Sequence, residues 1–452
     1  MKKNIMLILC IIMFSLTINT YAADTIYSLN KYSEEKFENI IKSYDEDNKQ
    51  DGFITAGRVL KEKNIINNEE YSDYQIVLVK YSITGKVKWI FTYGKNDIDE
   101  IDSLTYIYDE NNHVAGYLIA MNKSTDVDEQ KENVSVFVKV DINGKLIEEK
   151  TTSLKENSRI KKIMPVVDQD YKLHSYVAIG ESNNYPFIAK YDNNLNLVFV
   201  NEYELTNTKF NDIEIIRNKK TIDSYAISLV ENNDKLVNKI NRYDLEGNYV
   251  NTLTSNENSD DKINFLEDNN GIIIYGLTNE VKLTKEDELS YYIIKYDVNE
   301  ETTWETIGNV SIDKNEELKL INNYNEYLIM YTNNNDKSNE IVKIDIDGVI
   351  KSKVKKIKND YYDITNFNIY NNTIYFIGQM KCPEDEVCDY NSNSLFLISD
   401  QDKVIEVQHK EASSISIVTI LGIIVVIFIV LVRRKIKNKT KTKKKSKNKK
   451  KH

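Results

Sequence analysis

Residues 136–148, VFVKVDINGKLIE, contain the pattern that decides the fold: an apolar strand, a basic residue, a polar turn with glycine and a second strand. Short runs rich in Val, Ile and Phe favour strands, and Asp-x-Asn-Gly supplies the positive φ that a tight hairpin turn requires. A single hairpin cannot bury its apolar face alone, so further copies of the pattern are expected along the chain.

The pattern occurs six more times, at 77–89, 187–199, 239–251, 293–304, 341–353 and, in a degenerate form, 395–407. The marker residue at the end of its first strand recurs at a mean interval of about 53 residues, and its copies are Lys80, Lys139, Lys190, Arg242, Lys295, Lys343 and Ile398. A second marker, an apolar strand that often closes on Gly, precedes each copy with nearly the same interval, as in Phe53–Gly57 and Ile374–Gly378.

A weaker strand stands before each second marker, so each repeat contains four short strands. Seven units of four strands predict an all-β fold, a seven-bladed β-propeller over residues 36–407, in which each sheet buries one face against the next. We expect the units to be contiguous in sequence, with the ring closed by packing of the first unit on the last. Six or eight blades, or an open β-solenoid, are the alternatives that the pattern leaves.

The first repeat resembles a known family. Asp51–Gly57, Ile76–Trp89 and Tyr93-Gly94 are similar to the repeats of exported bacterial β-propellers, and the turn before Trp89 resembles the docking-tryptophan turn of quinoprotein-like propellers. Trp304 and Phe199 stand at the position equivalent to Trp89 in two other repeats. The resemblance implies that these three aromatic residues dock neighbouring blades, and it implies a fold more than a function.

The two ends of the chain predict its topology. Residues 1–22 have a charged start, an apolar run and the small residues Thr20 and Ala22, which together indicate a cleaved signal peptide; an uncleaved N-terminal anchor is the alternative. Residues 414–432 are apolar and long enough to cross the ~30 Å hydrocarbon core as a transmembrane helix, although a buried core helix is the other interpretation. The cations that follow predict that the N-terminal part lies outside the cell.

The remaining boundaries follow from these segments: a lead-in at 23–35, a juxtamembrane linker at 408–413 and a Lys-rich cytoplasmic tail at 433–452. The tail is expected to anchor against anionic lipid headgroups, with an acidic partner or nucleic acid as the alternative. Without the tail, Lys2 and Lys3, 45 basic residues stand against 70 acidic residues, a net charge of about −25. Such an acidic ectodomain does not favour the binding of nucleic acid.

Candidate chemistry is sparse. His113 and His174 fall in turns between first and second strands, and the sequence has no phosphate loop or nucleophile elbow. Asp345-Ile346-Asp347-Gly348 lacks the flanking ligands of a calcium loop and is interpreted as a hairpin turn, although calcium at some acidic loop stays open. We therefore assign no catalytic residue, no cofactor and no metal ligand.

Cys382 and Cys388 bracket a short loop in the last repeat. Outside the membrane two such residues are expected to form a disulfide that staples the loop, with two free thiols, or a redox or metal role, as the alternatives.

The sequence thus predicts a bacterial cell-surface protein, single-pass in the membrane, whose propeller is a non-enzymatic binding module for a protein, peptide or glycan. A scaffold for envelope assembly with a membrane complex is the main alternative, and an extracytoplasmic hydrolase or lyase is a third.

Overall fold

The computed structural model describes residues 25–27, 35–66, 69–94, 100–127, 130–155, 157–168, 170, 172–205, 207–232, 236–257, 263–278, 288–313, 318–323, 325–335, 338–358, 362–371, 373–380, 394–400 and 405–406. The chain divides into two units after Ile405, and the first unit contains the β-sheets that form the fold. Within these ranges all regular secondary structure is β-strand, which confirms the all-β prediction.

The described strands form seven antiparallel four-stranded sheets, which we call meanders and number in chain order; the short strand β1 (Thr25–Tyr27) comes first in the chain and is the fourth strand of meander seven. Meander one contains β2 (Glu35–Tyr44), β3 (Gln50–Ile66), β4 (Glu69–Ser82) and β5 (Val87–Tyr93); meander two β6 (Glu100–Tyr108), β7 (Val114–Val127), β8 (Gln130–Asp141) and β9 (Leu146–Thr151); meander three β10 (Ser158–Val167), β11 (Leu173–Ser182), β12 (Tyr185–Tyr191) and β13 (Leu197–Glu202); and meander four β14 (Thr208–Asn218), β15 (Thr221–Asn232), β16 (Leu236–Tyr243) and β17 (Tyr249–Glu257). Meander five contains β18 (Ile263–Asp268), β19 (Asn270–Thr278), β20 (Glu288–Tyr296) and β21 (Thr302–Ile307), with β22 (Ile312–Asp313) beside β20; meander six β23 (Lys319–Asn323), β24 (Glu326–Asn333), β25 (Ser338–Asp345) and β26 (Ile350–Lys358); and meander seven β27 (Tyr362–Tyr370), β28 (Thr373–Met380), β29 (Ser394–Asp400) and β1.

Two features depart from this simple order. Meanders four and five join into one larger sheet, because Arg217 and Asn218 of β14 pair with Gly271 and Asn270 of β19. The last described strand, β30 (Ile405–Glu406), lies beside β26 as a fifth strand of meander six.

Neighbouring meanders pack face to face through apolar clusters. Each second and third strand carries a run of Val, Ile, Leu, Phe and Tyr, and most of these side chains are fully buried. One cluster joins Ile54 and Leu78 of meander one to Tyr117 and Ile119 of meander two, and similar clusters join the following pairs. Burial on both faces explains why these strands are continuously apolar rather than alternating.

The ring closes between meanders seven and one. Phe53 packs on Tyr375, with ring centroids 4.2 Å apart, and Tyr81 stacks on Phe396 at 4.1 Å. The chain therefore forms a closed β-propeller, whose clusters continue from the last sheet to the first.

Closure also differs from the contiguous arrangement that the sequence predicted. The fourth strand of meander seven is β1, which pairs with β29 in the register Thr25 to Ile398 and Tyr27 to Phe396, whereas residues 405–406 join meander six. Residues 25–27, placed in the lead-in by the sequence, thus belong to the ring. The physical reason is that a strand from the other end of the chain satisfies the edge of β29 with hydrogen bonds, which packing alone does not do.

The first strands of the meanders lie next to one another around the centre. Ser103 of β6 donates a hydrogen bond to the Ile163 carbonyl of β10 (3.2 Å), and Lys162 of β10 donates to the Ile213 carbonyl of β14 (2.9 Å). At the closure, Thr365 of β27 donates to the Phe37 carbonyl of β2 (2.9 Å). Polar side chains of the first strands therefore bind the backbone of neighbouring first strands.

Candidate functional site

Many of the turns that follow first or third strands are built around an aspartate. In the turn between β25 and β26 the Asp345 carboxylate accepts hydrogen bonds from the Asp347 and Val349 N–H groups, and Gly348 adopts φ of 81°. Asp45, Asp109, Asp141, Asp168, Asp192, Asp244 and Asp297 make the same contacts in their turns. These carboxylates stabilise their own turns by accepting backbone hydrogen bonds, which agrees with the interpretation of residues 345–348 as a hairpin turn.

The structure places the three predicted docking aromatic residues against the following meander. Trp89 lies over Gly144, where an added Cβ would come within 2.6 Å of the indole ring, and its Nε1 donates to the Ile142 carbonyl at 3.0 Å. Trp304 lies over Gly348 in the same way, and Phe199 lies near Gly247. Each ring thus covers the glycine of the next third-to-fourth-strand turn.

The basic repeat marker also has a local partner in each described case. Its partner is an acidic group beside the turn between the first and second strands in four meanders, a fourth-strand glutamate in one and a carbonyl of the next meander in another. The pairs are Lys80 with Asp51, Arg242 with Asp223, Lys295 with Asp268, Lys343 with Glu326, Lys139 with Glu148, and Lys190 with the Leu245 carbonyl. The marker is therefore a component of the scaffold.

The two described histidines, His113 and His174, lie at turns between first and second strands. His113 follows the turn residue Asn112, and its N–H donates to the Asp109 carboxylate. The ring of His174 lies 3.1 Å from the Asp168 carboxylate at an exposed position of β11. The structure brings neither histidine to the centre of the ring.

A group of charged side chains lies on β10, β14 and β18, and we call Lys162, Asp212, Glu214, Arg217 and Glu267 the inner wall. Lys162 Nζ donates to Asp212 Oδ1 at 2.5 Å, and Asp212 also accepts from the Phe265 N–H of β18 at 3.3 Å. Arg217 is 3% exposed, pairs with Glu267 and donates to the Val167 carbonyl at 2.7 Å. The inner wall thereby ties meanders three, four and five together.

Glu214 is a member of the inner wall whose carboxyl pKa is raised above its ordinary value. Burial raises the pKa of its carboxyl to about 7, and the negative charges of Glu267 and Asp212 act in the same direction, while Lys162 opposes them. Among the described residues, its one hydrogen bond comes from the Ile215 N–H at 3.0 Å. A partly exposed carboxyl with unused acceptor positions is available to a ligand.

Three lysines of the first strands differ in the direction of their pKa shifts. Burial disfavours the ammonium form of Lys162, but the Asp212 and Glu214 carboxylates outweigh it and raise the lysine pKa. Burial lowers the pKa of Lys161, which donates to Asn211 at 2.8 Å, and also that of Lys42 on β2. Lys162 therefore stays a cation, and the inner wall combines a fixed positive charge with a carboxyl that titrates near neutrality.

Chemically, this arrangement can bind hydrogen-bond donors and can exchange a proton. It has no neighbouring nucleophile or histidine among its described contacts, and within the described ranges no cluster of His, Cys, Asp or Glu could hold a metal ion. The inner wall was not predicted from the sequence, because the first strands have the weakest apolar pattern of each repeat. The one available signal was the alternation of Asp212 and Glu214 with Ile213 and Ile215.

Several predicted segments lie outside the described residues: Cys382 and Cys388, the signal peptide at 1–22, the linker at 408–413, the transmembrane helix at 414–432 and the tail at 433–452. In the part of the chain that is described, no helix has the length and apolar character needed to cross a membrane.

Comparison with known proteins found similarity to solved structures alone. No family model matches the chain, and no curated protein matches it. Similar solved structures include the Dos1 propeller (TM-score 0.47, 9% identity, covering 84% of this chain and 97% of that one) and the WD40 domain of SCAP from fission yeast (0.40, 10%, 84% and 98%). A periplasmic gluconolactonase of Pseudomonas aeruginosa is also similar (0.43, 9%, 70% and 84%). All three similarities have TM-scores below 0.5 and identities of 9–10%, so no function is assigned from them.

Proposed function

We propose that this chain is an exported, membrane-anchored propeller of seven blades that binds a protein, peptide or glycan at the inner wall. The seven meanders support the blade number, and the apolar run at 414–432 followed by cations supports the anchor. The chain is expected to reside in a bacterial cell membrane with the propeller outside.

The observation that carries the binding proposal is Glu214. Most acidic residues in the turns are already occupied by backbone N–H groups, whereas Glu214 has one hydrogen bond among the described residues and lies near the cation Lys162. A ligand that offers hydroxyl, amide or ammonium donors fits this pair, because the carboxyl accepts and the cation is held in place.

The test is affinity capture on the purified full chain, immobilised through its C-terminal tail, against membrane and wall fractions. We expect one glycan or protein to be retained by the wild type and by Glu46→Gln, a change at an exposed turn, and lost in Glu214→Gln with Lys162→Gln. Equal retention by the inner-wall variant would contradict the site, and retention that needs only the apolar segment would favour the envelope scaffold instead.

A hydrolase or lyase is the second candidate, because a carboxyl with a pKa of about 7 suits general acid or base catalysis. If the captured ligand is cleaved by the wild type and not by Glu214→Gln, while both bind it, the protein is an enzyme. If both return it intact, the binding module stands.

A further inference from the structure

The fourth strand of meander six differs in charge from the fourth strand of every other described meander. β26 has the sequence IKSKVKKIK, with five lysines and no acidic residue, whereas β1, β5, β9, β13, β17 and β21 each contain at most one lysine. This cationic strand stands out in an ectodomain whose net charge is about −25.

The two lysines at the start of β26, Lys351 and Lys353, are exposed and each pairs with a carboxylate. Lys353 is 55% exposed and pairs with Glu340, which is fully buried. Lys351 is 52% exposed and pairs with Asp345, which is 22% exposed. In both pairs the ammonium group is more exposed than the carboxylate, so Lys351 and Lys353 present their charges at the surface.

Exposed apolar residues stand directly beside these cations. Val349 is 52% exposed, Ile350 44% and Ile346 41%, all in or next to the turn that leads into β26. Lysines beside exposed apolar side chains are the composition of surfaces that rest on anionic lipid headgroups. The equivalent position of meander two also exposes an apolar pair, Leu146 and Ile147, but two glutamates follow it.

The position of β26 in the chain favours the membrane as its partner. β30 lies beside β26 and ends at Glu406, eight residues before Ser414, and eight extended residues span at most about 29 Å. The anchor proposed above would therefore begin within that reach of the end of β30.

We propose that β26 and the turn before it dock on anionic lipid headgroups of the membrane that anchors the chain. This inference rests on the proposed membrane anchor. Docking would hold the propeller with meander six against the bilayer and leave the opposite meanders accessible.

The test uses the full chain in nanodiscs of phosphatidylcholine, with and without phosphatidylglycerol. A membrane-impermeant amine-acylating reagent modifies exposed lysines, and mass spectrometry gives the rate at each position. We expect acylation of Lys351 to be on the order of fivefold slower in the anionic nanodiscs, and the protection to vanish near 1 M salt, where the screening length is about 3 Å. Lys219 and Lys220, in an exposed turn of meander four, should react equally in both.

Two matched variants exclude a folding artefact. Val349→Ser with Ile350→Ser should reduce the protection of Lys351, and Leu146→Ser with Ile147→Ser should leave it unchanged, with equal urea midpoints for both. A chain that does not elute with nanodiscs would overturn the anchor and the docking together. A chain that inserts but shows the same Lys351 rate in both lipids would overturn the docking alone.

Discussion

Glu214 shows how a single side chain takes its properties from its neighbours. Its carboxyl lies between two other carboxylates, Asp212 and Glu267, and near the cation Lys162. Burial and repulsion together favour the protonated form, so the folded protein holds this proton more tightly than the unfolded chain does.

This shift makes stability depend on pH. The pKa of Glu214 rises from 4.5 in its ordinary state to about 7 in the folded protein, so its stabilising contribution is complete below about pH 4.5 and disappears as the pH rises through 7. Between pH 5 and pH 8, we expect the wild type to lose about 1–3 kcal/mol of unfolding free energy relative to Glu214→Gln. Urea unfolding of both proteins at the two pH values measures the difference.

Glu46→Gln serves as the control, because Glu46 is exposed in the first turn of meander one. Its curves should run parallel to those of the wild type. A Glu214→Gln variant that also stays parallel would show that the carboxyl ionises normally in the folded protein.

The two docking tryptophans differ in one hydrogen bond. Trp89 Nε1 donates to the Ile142 carbonyl, whereas Trp304 Nε1 is buried and has no hydrogen-bond partner among the described residues. Phenylalanine keeps much of the ring packing and removes the N–H. We therefore expect Trp89→Phe to destabilise the protein by about 1 kcal/mol more than Trp304→Phe does. Chemical denaturation measures both, and an equal loss at the two positions would contradict the assignment of the hydrogen bond.

At the scale of the strand, the sequence predicted the second and third strands of each repeat and their turns. Those strands are continuously apolar, and the turns carry Asp and Gly at fixed spacing, so each signal reflects a local requirement. Leu195 and Glu300 show the limit of that reasoning, because both adopt positive φ at the turn position where other repeats have Gly. The first strands are mixed in polarity, and for that reason the inner wall could not be located from the sequence.

β1 was beyond sequence prediction for a different reason. Three residues are too few to show alternation, and the partner strand lies at the other end of the chain. Its contribution can nevertheless be measured, because successive N–H groups of a strand point to opposite sides and one of two neighbours must face β29.

The corresponding variant is Ile26→Pro with Tyr27→Pro, which removes both donors. We expect a loss of about 1–3 kcal/mol in unfolding free energy and faster amide exchange in β28 and β29. Ile26→Ala with Tyr27→Ala keeps the N–H groups and separates the loss of donors from the loss of side chains. If the proline variant is as stable as the wild type, β1 does not close the ring.

At the scale of the whole molecule, each meander makes most of its hydrogen bonds internally, and the ring adds the faces between meanders. This division explains why the repeat period predicted the architecture while the closure was unexpected: the period describes units, and closure is a property of the ends. The inner wall likewise exists only when three consecutive units are assembled, since its members come from β10, β14 and β18.

The pairing of β1 with β29 also has a consequence for the order of folding. The two strands are separated by about 370 residues, and contacts over such a distance form slowly, because a long loop must close before they stabilise anything. Meanders made of neighbouring hairpins can form while synthesis proceeds, but β1 has no partner until the seventh meander exists. β1, the first strand to be synthesised, is therefore expected to pair last. A chain that ends before β29 would leave both β1 and the edge of its last sheet without partners.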